Sequence, residues 1–452
     1  MVDQSTYELS GRWYHGITRY QWLVLAIASL GWVFDVFEGQ IFVASMNEAM
    51  PSLVPVGTPK ADLPFYNNIT FGAFLLGGAL GGVAFGMLSD RIGRTRTMVW
   101  TIVMYSAFTC LSAASQTWWH MAVFRFLVAM GVGGEWAVAS AMVAEVFPKR
   151  ARAWSLAIFH ASSVLGTYLA IAAGAFIVAD ERLGWKWGFV LGALPALLVI
   201  WVRLSLREPE NWRHARDAAR QGGKPMGRVA DLFDAGLVRH TLVGVGLAAV
   251  GLATFWGVHI YGKDLMRRAV EARYLAELPR DADDDTRQAL LKQNFKSIKR
   301  GEMFGLLLVT TGGGLGLLTF GPLSERWGRR GTFLFFHLGG LVSAIVLFQT
   351  ISGVGPLVCV LPIFGFLTLG MHAGYAIYFP ELFPTRLRGT GGGFCFNFGR
   401  VIAAPILFIG GWMQSSLKMS LGNAASILSL LFLLGAAILI AAPETRGREL
   451  PE

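Results

Sequence analysis

One nine-residue phrase occurs twice. Gly86-Met-Leu-Ser-Asp90-Arg91-Ile-Gly93-Arg94 returns 235 residues later as Gly321-Pro-Leu-Ser-Glu325-Arg326-Trp-Gly328-Arg329, each copy directly after a long apolar run rich in glycine. Gly77, Gly78, Gly81 and Gly86 match Gly312, Gly313, Gly316 and Gly321, so the repeat extends back into the apolar run. A second phrase, Glu145-Val-Phe-Pro148-Lys-Arg150-Ala-Arg152, recurs as Glu381-Leu-Phe-Pro384-Thr-Arg386-Leu-Arg388 at an offset of 236. Two unrelated phrases at nearly one offset require a chain built from two related halves.

The halves belong in a bilayer. Of the 452 residues, 54% are hydrophobic and only 15% charged, against about 25% charged in soluble domains. Twelve apolar stretches are long enough to cross a hydrocarbon core of about 30 Å. They include spans at 20–45, 65–88, 118–143, 154–178, 185–204, 237–261, 356–378 and 389–413. The expected fold is an all-α membrane protein of twelve transmembrane helices in two pseudo-equivalent six-helix bundles. The expected division is a first bundle at 1–205, a cytoplasmic linker at 206–236, and a second bundle at 237–452 with an extracytoplasmic insertion at 263–300.

The formal charge of +10 does not point to nucleic acid, because most basic residues fall in alternate connecting segments. Arg91, Arg94, Arg96, Lys149, Arg150, Arg152, Arg326, Arg329 and Arg330 all lie on one side. The positive-inside rule then puts both termini in the cytoplasm of a multi-pass plasma (inner) membrane protein. The first apolar run is too long for a cleaved signal and is expected to remain as a span. Cys110, Cys359 and Cys395 sit in apolar segments without metal-like spacing, so no disulfide framework, redox site or metal site is expected. In the insertion, apolar residues from Leu265 to Leu278 and from Leu290 to Ile298 recur near helical spacing on either side of Asp281-Ala-Asp-Asp-Asp285, predicting two short amphipathic helices.

Charges inside the spans carry the functional reading, since each costs at least ~2.5 kcal/mol to insert. Asp35 and Glu38 are three residues apart and share a face of the first span. Two carboxylates in a low-dielectric cavity resist ionising together, which lets one load and release a proton. Arg125 in the fourth span is the expected partner of Asp35. Glu135 lies ten residues on and on another face, so it need not pair with Arg125. Arg400, with Asn397 one turn earlier, is the candidate for holding an anion, because a guanidinium grips a carboxylate bidentately. His160, His372 and Trp256 are weaker candidates for lining the pathway, packing being their ordinary role. Gly78, Gly82 and Gly86, at four-residue spacing, allow close approach of another helix. Asp90 is then placed to face the start of the eleventh span near Gly389, with Arg94 pairing to it.

The Gly86–Arg94 phrase and its copy resemble the signature of the major facilitator superfamily, and the resemblance covers the whole chain. Within that superfamily, Arg125-Phe-Leu-Val-Ala-Met-Gly131-Val-Gly133-Gly134-Glu135 and Pro380-Glu-Leu-Phe-Pro-Thr-Arg-Leu-Arg-Gly389 look like proton-coupled symporters of organic acids, sialic acid and phosphate. Those families carry paired acids in the first span, usually with Asp second where this chain has Glu38, and associate an acid at the Glu135 position with proton movement. The resemblance implies a secondary transporter, not an enzyme, driven by the proton gradient without a cofactor. It also implies a latch in which Gly86, Asp90, Arg91, Gly93 and Arg94, and their copies Gly321, Glu325, Arg326, Gly328 and Arg329, work at the inner helix ends. The expected substrate is a small organic anion and the expected working unit a monomer. Pro443-Glu-Thr-Arg-Gly447 echoes the sugar-porter tail, which keeps a proton-coupled sugar or polyol symporter as an alternative. A non-transporting sensor or scaffold on the same fold, using the 263–300 insertion, is a third reading.

Overall fold

A computed structural model describes residues 12–59, 63–173, 177–178, 184–193, 201, 205–279 and 282–452. Every regular element among them is helical. The first stretch holds α1 (Arg19–Ala49), α2 (Leu63–Ile92), α3 (Arg94–Ser112), α4 (Trp118–Val146), α5 (Lys149–Ala161), α6 (Ser163–Ala173), α7 (Gly184–Val190) and α8 (Glu210–Arg220). There follow α9 (Val238–Thr254), α10 (Tyr261–Leu275), α11 (Asp284–Gln293), α12 (Phe295–Thr350), α13 (Val354–Leu369), α14 (Met371–Leu382), α15 (Arg388–Ala403), α16 (Pro405–Ser415), α17 (Leu421–Ser429) and α18 (Leu431–Ala441).

Local chemistry sets the ends. Thr18 and Gln21 form a reciprocal capping box at the start of α1, and Thr117 accepts from the His120 amide to start α4. Gly93, at φ 117°, turns the chain between α2 and α3 in a conformation open to glycine. Its copy Gly328, at φ 79°, makes the same break inside the 56-residue α12.

Eight helices among the described residues are long and apolar enough to cross a membrane, against twelve predicted spans. The eighth and ninth predicted spans run together through α12, and the eleventh is divided at Pro405. Arg94 and Arg96 open α3, the third span, and lower its hydropathy. Half of the sixth predicted span, 194–200 and 202–204, lies outside the described residues, as do 174–176 of the fifth. The two amphipathic helices expected in the insertion are α10, which continues from the seventh span, and α11. Asp281 lies outside the described residues, but Asp283 caps α11 by accepting from the Thr286 amide at 2.8 Å. That bonding with Thr286 holds its carboxyl below the ordinary carboxylate range.

The chain divides into two compact units. One comprises Met1–Val245, Tyr375–Val401 and Thr445–Glu452, the other Gly246–Gly374 and Ile402–Glu444. Within the first, the glycine face of α2 packs on α4: a side chain at Gly77 or Gly81 would strike the carbonyl of Phe126 or Met130. Within the second, Gly312 and Gly316 of α12 meet the carbonyls of Pro362 and Phe366 of α13 in the same way. Glycines 235 apart thus rest on carbonyls 236 apart, so the sequence repeat is also a packing repeat. The Gly78, Gly82 and Gly86 row faces α15, against Arg400, Asn397 and Gly389 respectively.

Because both helix backbones are in contact at these points, Gly81→Val should destabilise the α2–α4 pair by about 1–3 kcal/mol. Thermal unfolding of purified protein checks this, with Gly72→Val, at an open position, as the unaffected control.

Candidate functional site

The first group of intramembrane charges gathers between α1, α3 and α4. Asp35, Glu38, Arg125 and Glu135 are all buried, at no more than 1% exposure. The Arg125 guanidinium donates to the Glu38 carbonyl at 2.7 Å and lies 5.0 Å and 4.9 Å from the ring centres of Phe42 and Phe74. The expected pairing of Arg125 with Asp35 is therefore replaced by one with the Glu38 turn, because the aromatic rings hold the guanidinium at that level of α1. Among the described residues, Nε and Nη1 of Arg125 and both carboxylate oxygens of Asp35 make no hydrogen bond.

Glu135 lies apart from Arg125, as its helix face predicts. Its Oε2 accepts from the Thr101 hydroxyl, while Oε1 presses on Gly31, one turn before Asp35. Asp35 consequently has Glu135 and Glu38 as like-charged neighbours. The buried Tyr105 ring stands within electrostatic reach of all three acids. Three carboxylates thus share one guanidinium in a buried site, an arrangement in which joint ionisation is unfavourable.

The second group lies along α15. Asn397 is fully buried, donates to the Gly393 carbonyl at 2.9 Å, and keeps Oδ1 without a partner. Arg400 rests over the Phe396 ring at 5.4 Å and fills the space left by Gly78. It forms no ion pair among the described residues. Trp136 stacks on Phe396 with centroids 4.2 Å apart and donates from Nε1 to His160 Nδ1 at 3.2 Å. Trp32 donates to the His160 carbonyl at the same distance. His160 is thereby fixed as part of an aromatic wall that also includes Phe379 and Tyr375.

Trp256 and His372 belong to the other unit. A π-helical turn, Phe255–His259, interrupts the seventh span, and Phe255 makes edge contacts with both Trp256 and His372. His259 bonds Thr368 at 2.6 Å. A run of apolar residues does not announce a π turn, so the presentation of these side chains was not readable from spacing.

The residues expected to form a latch are joined in a continuous network. Asp90 accepts from the amides of Gly389 and Thr390 at 3.0 and 2.8 Å and from the Thr390 hydroxyl at 2.6 Å, capping the start of α15. Arg94 pairs with Asp90 at 2.6 Å and with Glu145 at 2.8 Å, and donates to the Thr385 carbonyl. Arg388 meets the same Glu145 oxygen at 2.7 Å and donates to the Pro451 carbonyl. Arg91 donates to Gly227 of the linker, and Trp212 of α8 to the Asp90 carbonyl. In the second copy Arg329 pairs with Glu325 at 2.9 Å, and Glu325 is 30% exposed. Arg326 remains exposed.

Two further acids take part: Glu208 lies outside the motifs quoted, while Glu444 falls within the Pro443–Gly447 tail. Glu208 accepts from the amides of Arg94 and Arg96 beneath Gly93, and Glu444 accepts from those of Arg329 and Arg330 beneath Gly328. The signal was present: 208 and 444 differ by 236, the offset of the second phrase.

A family model for the Major Facilitator Superfamily matches residues 40–405. The chain belongs to the Major Facilitator Superfamily. It is accordingly a multi-pass integral membrane transporter and not an enzyme. It is 27% identical to a putative metabolite transport protein of Haemophilus influenzae, covering 96% of this chain and 99% of that one. It is 28% identical to a probable 4-methylmuconolactone transporter of Cupriavidus pinatubonensis, covering 92% and 89%. The sialic acid transporter NanX of Escherichia coli is 27% identical, covering 94% and 96%. A solved structure of the proton:xylose symporter XylE superimposes with a TM-score of 0.72 over 95% of this chain and 98% of that one, at 15% identity, a likeness of fold.

The two latch copies should differ in weight. Asp90→Ala strips a fully buried guanidinium and a helix start of their acceptor, an expected loss of about 3–5 kcal/mol. Glu325→Ala removes a partly exposed i,i+4 pair, worth about 1 kcal/mol or less. Melting temperatures of the two variants in the same detergent test the order.

Proposed function

We propose that this transporter takes up a small organic anion, a planar carboxylate, together with protons, by alternating access. The carrying observation is Arg400 on the Phe396–Trp136 stack beside the unsatisfied Oδ1 of Asn397. A guanidinium without an internal counter-ion binds a carboxylate bidentately, and an aromatic shelf beside it accepts a flat, conjugated body. Among similar proteins are a cis,cis-muconate transport protein and a niacin transporter of Acinetobacter baylyi, both named for flat carboxylates.

The proton side of the cycle is assigned to Asp35, Glu38 and Glu135, with Arg125 positioning Glu38 through its backbone. No cofactor is needed: the proton gradient supplies the energy. The basic segments place both termini in the cytoplasm of the plasma (inner) membrane, and the working unit is the monomer. The Asp90–Arg94 network and its copy act as the conformational latch. A sugar or polyol substrate would leave Arg400 uncompensated, and a sensor role for the 263–300 insertion would leave the Asp35 cluster without a task.

Proteoliposomes with an imposed proton gradient test this reading across a panel of muconate, aromatic carboxylates and neutral sugars. Wild type should accumulate a carboxylate. Asp35→Asn should abolish gradient-driven accumulation while retaining exchange, and Arg400→Ala should reduce carboxylate uptake by at least about tenfold. Full accumulation by Asp35→Asn, or sugar uptake indifferent to Arg400, sinks the proposal.

A further inference from the structure

Next to Arg91 of the Gly86–Arg94 phrase, the linker lines an open cleft of about 430 Å³. Four of its lining residues are arginines, Arg91, Arg216, Arg220 and Arg228, and none is acidic. Arg91, Arg220 and Arg228 are exposed and Arg216 is partly so, but the loop that lines the cleft is held in place. Gly227, at φ +64° and in contact with the Arg91 side chain, lets the loop close over it. Its carbonyl accepts from Arg91 at 3.2 Å and its amide donates to the Arg386 carbonyl at 3.0 Å. Arg216 is held over the Trp212 ring at 4.9 Å, and Trp212 is itself bonded to the latch.

The nearby acids do not neutralise this set. Asp217, the partner of Arg216, is exposed. Asp231 stands 3.7 Å from Arg228 while its other oxygen is taken by Arg386. Arg220 has no ionic partner among the described residues. Four guanidiniums around one cleft repel one another unless an anion with several acceptor oxygens joins them. Tetrahedral phosphate matches the guanidinium fork, and the cleft sits at a helix end, where phospholipid headgroups lie.

We propose that the Arg91–Arg216–Arg220–Arg228 cleft is a binding site for a phosphate-bearing anion, distinct from the transport site. The ligand is either an anionic phospholipid headgroup or free phosphate. Occupancy ties the linker to the Arg386–Arg388 loop and so reaches the latch without touching the transported substrate.

Full-length protein is to be titrated with inorganic phosphate by calorimetry and, separately, examined by native mass spectrometry from nanodiscs with and without phosphatidylglycerol. At least one probe should bind: phosphate alone assigns a soluble ligand, retained phosphatidylglycerol a lipid. Arg220→Gln, at an exposed position, should weaken that binding about tenfold. The triple change Arg216→Gln, Arg220→Gln and Arg228→Gln should remove it, and Arg400→Ala should leave it intact. Binding of neither probe, or unchanged binding in Arg220→Gln, overturns the site.

Discussion

A fully buried guanidinium, Arg94, is the interaction on which the first unit depends. It is surrounded by the carboxylates of Asp90 and Glu145 and by a backbone carbonyl, so its charge is compensated on each side it presents. Burial of ions is tolerated only when geometry and hydrogen bonding are this complete. That requirement fixes much else. Asp90 must lie against the start of α15, Glu145 must end α4 beside Arg388, and Glu208 must return to the amides of α3. The glycine row of α2 makes these approaches possible, since any side chain at Gly86 would meet the Gly389 carbonyl.

Away from the latch, the two intramembrane arginines are treated differently. Arg125 is wrapped by aromatic rings and spends a hydrogen bond on the Glu38 carbonyl. Arg400 has a ring beneath it and no acid beside it. One is anchored to a neighbouring helix backbone; the other rests on a ring of its own helix. The separation follows from the neighbours each helix supplies, with acids on α1 and α4 around Arg125 and aromatic residues on α4 and α15 near Arg400.

Much of this was legible beforehand. The internal repeat, the apolar helices, the glycine row and the pairing of Asp90 with Arg94 and the α15 start follow from repeated phrases and from the small number of residue types that survive in a bilayer. Asp35 with Glu38 was legible as a pair from helical spacing. The approach of Glu135 to Asp35 was not, because it joins two helices whose rotation about their axes is set by packing at Gly31 and Thr101. Glu145 and Arg388 were visible as members of a repeated phrase but not as partners of each other. Glu208 had the repeat offset but no quoted motif around it, and Glu444 lay in the Pro443–Gly447 tail without its partners being visible.

The sequence alone determined membrane class, helical content, internal duplication and the list of charges that needed explanation. Hydropathy, small-residue spacing and the cost of buried ions act along one helix at a time, and each leaves a periodic mark. Only the tertiary structure decided which charges meet: Arg125 with the Glu38 turn rather than Asp35, Arg388 with Glu145, and Arg400 with Phe396. Those choices depend on helix rotation and on contacts between separate helices, neither of which has a period to read.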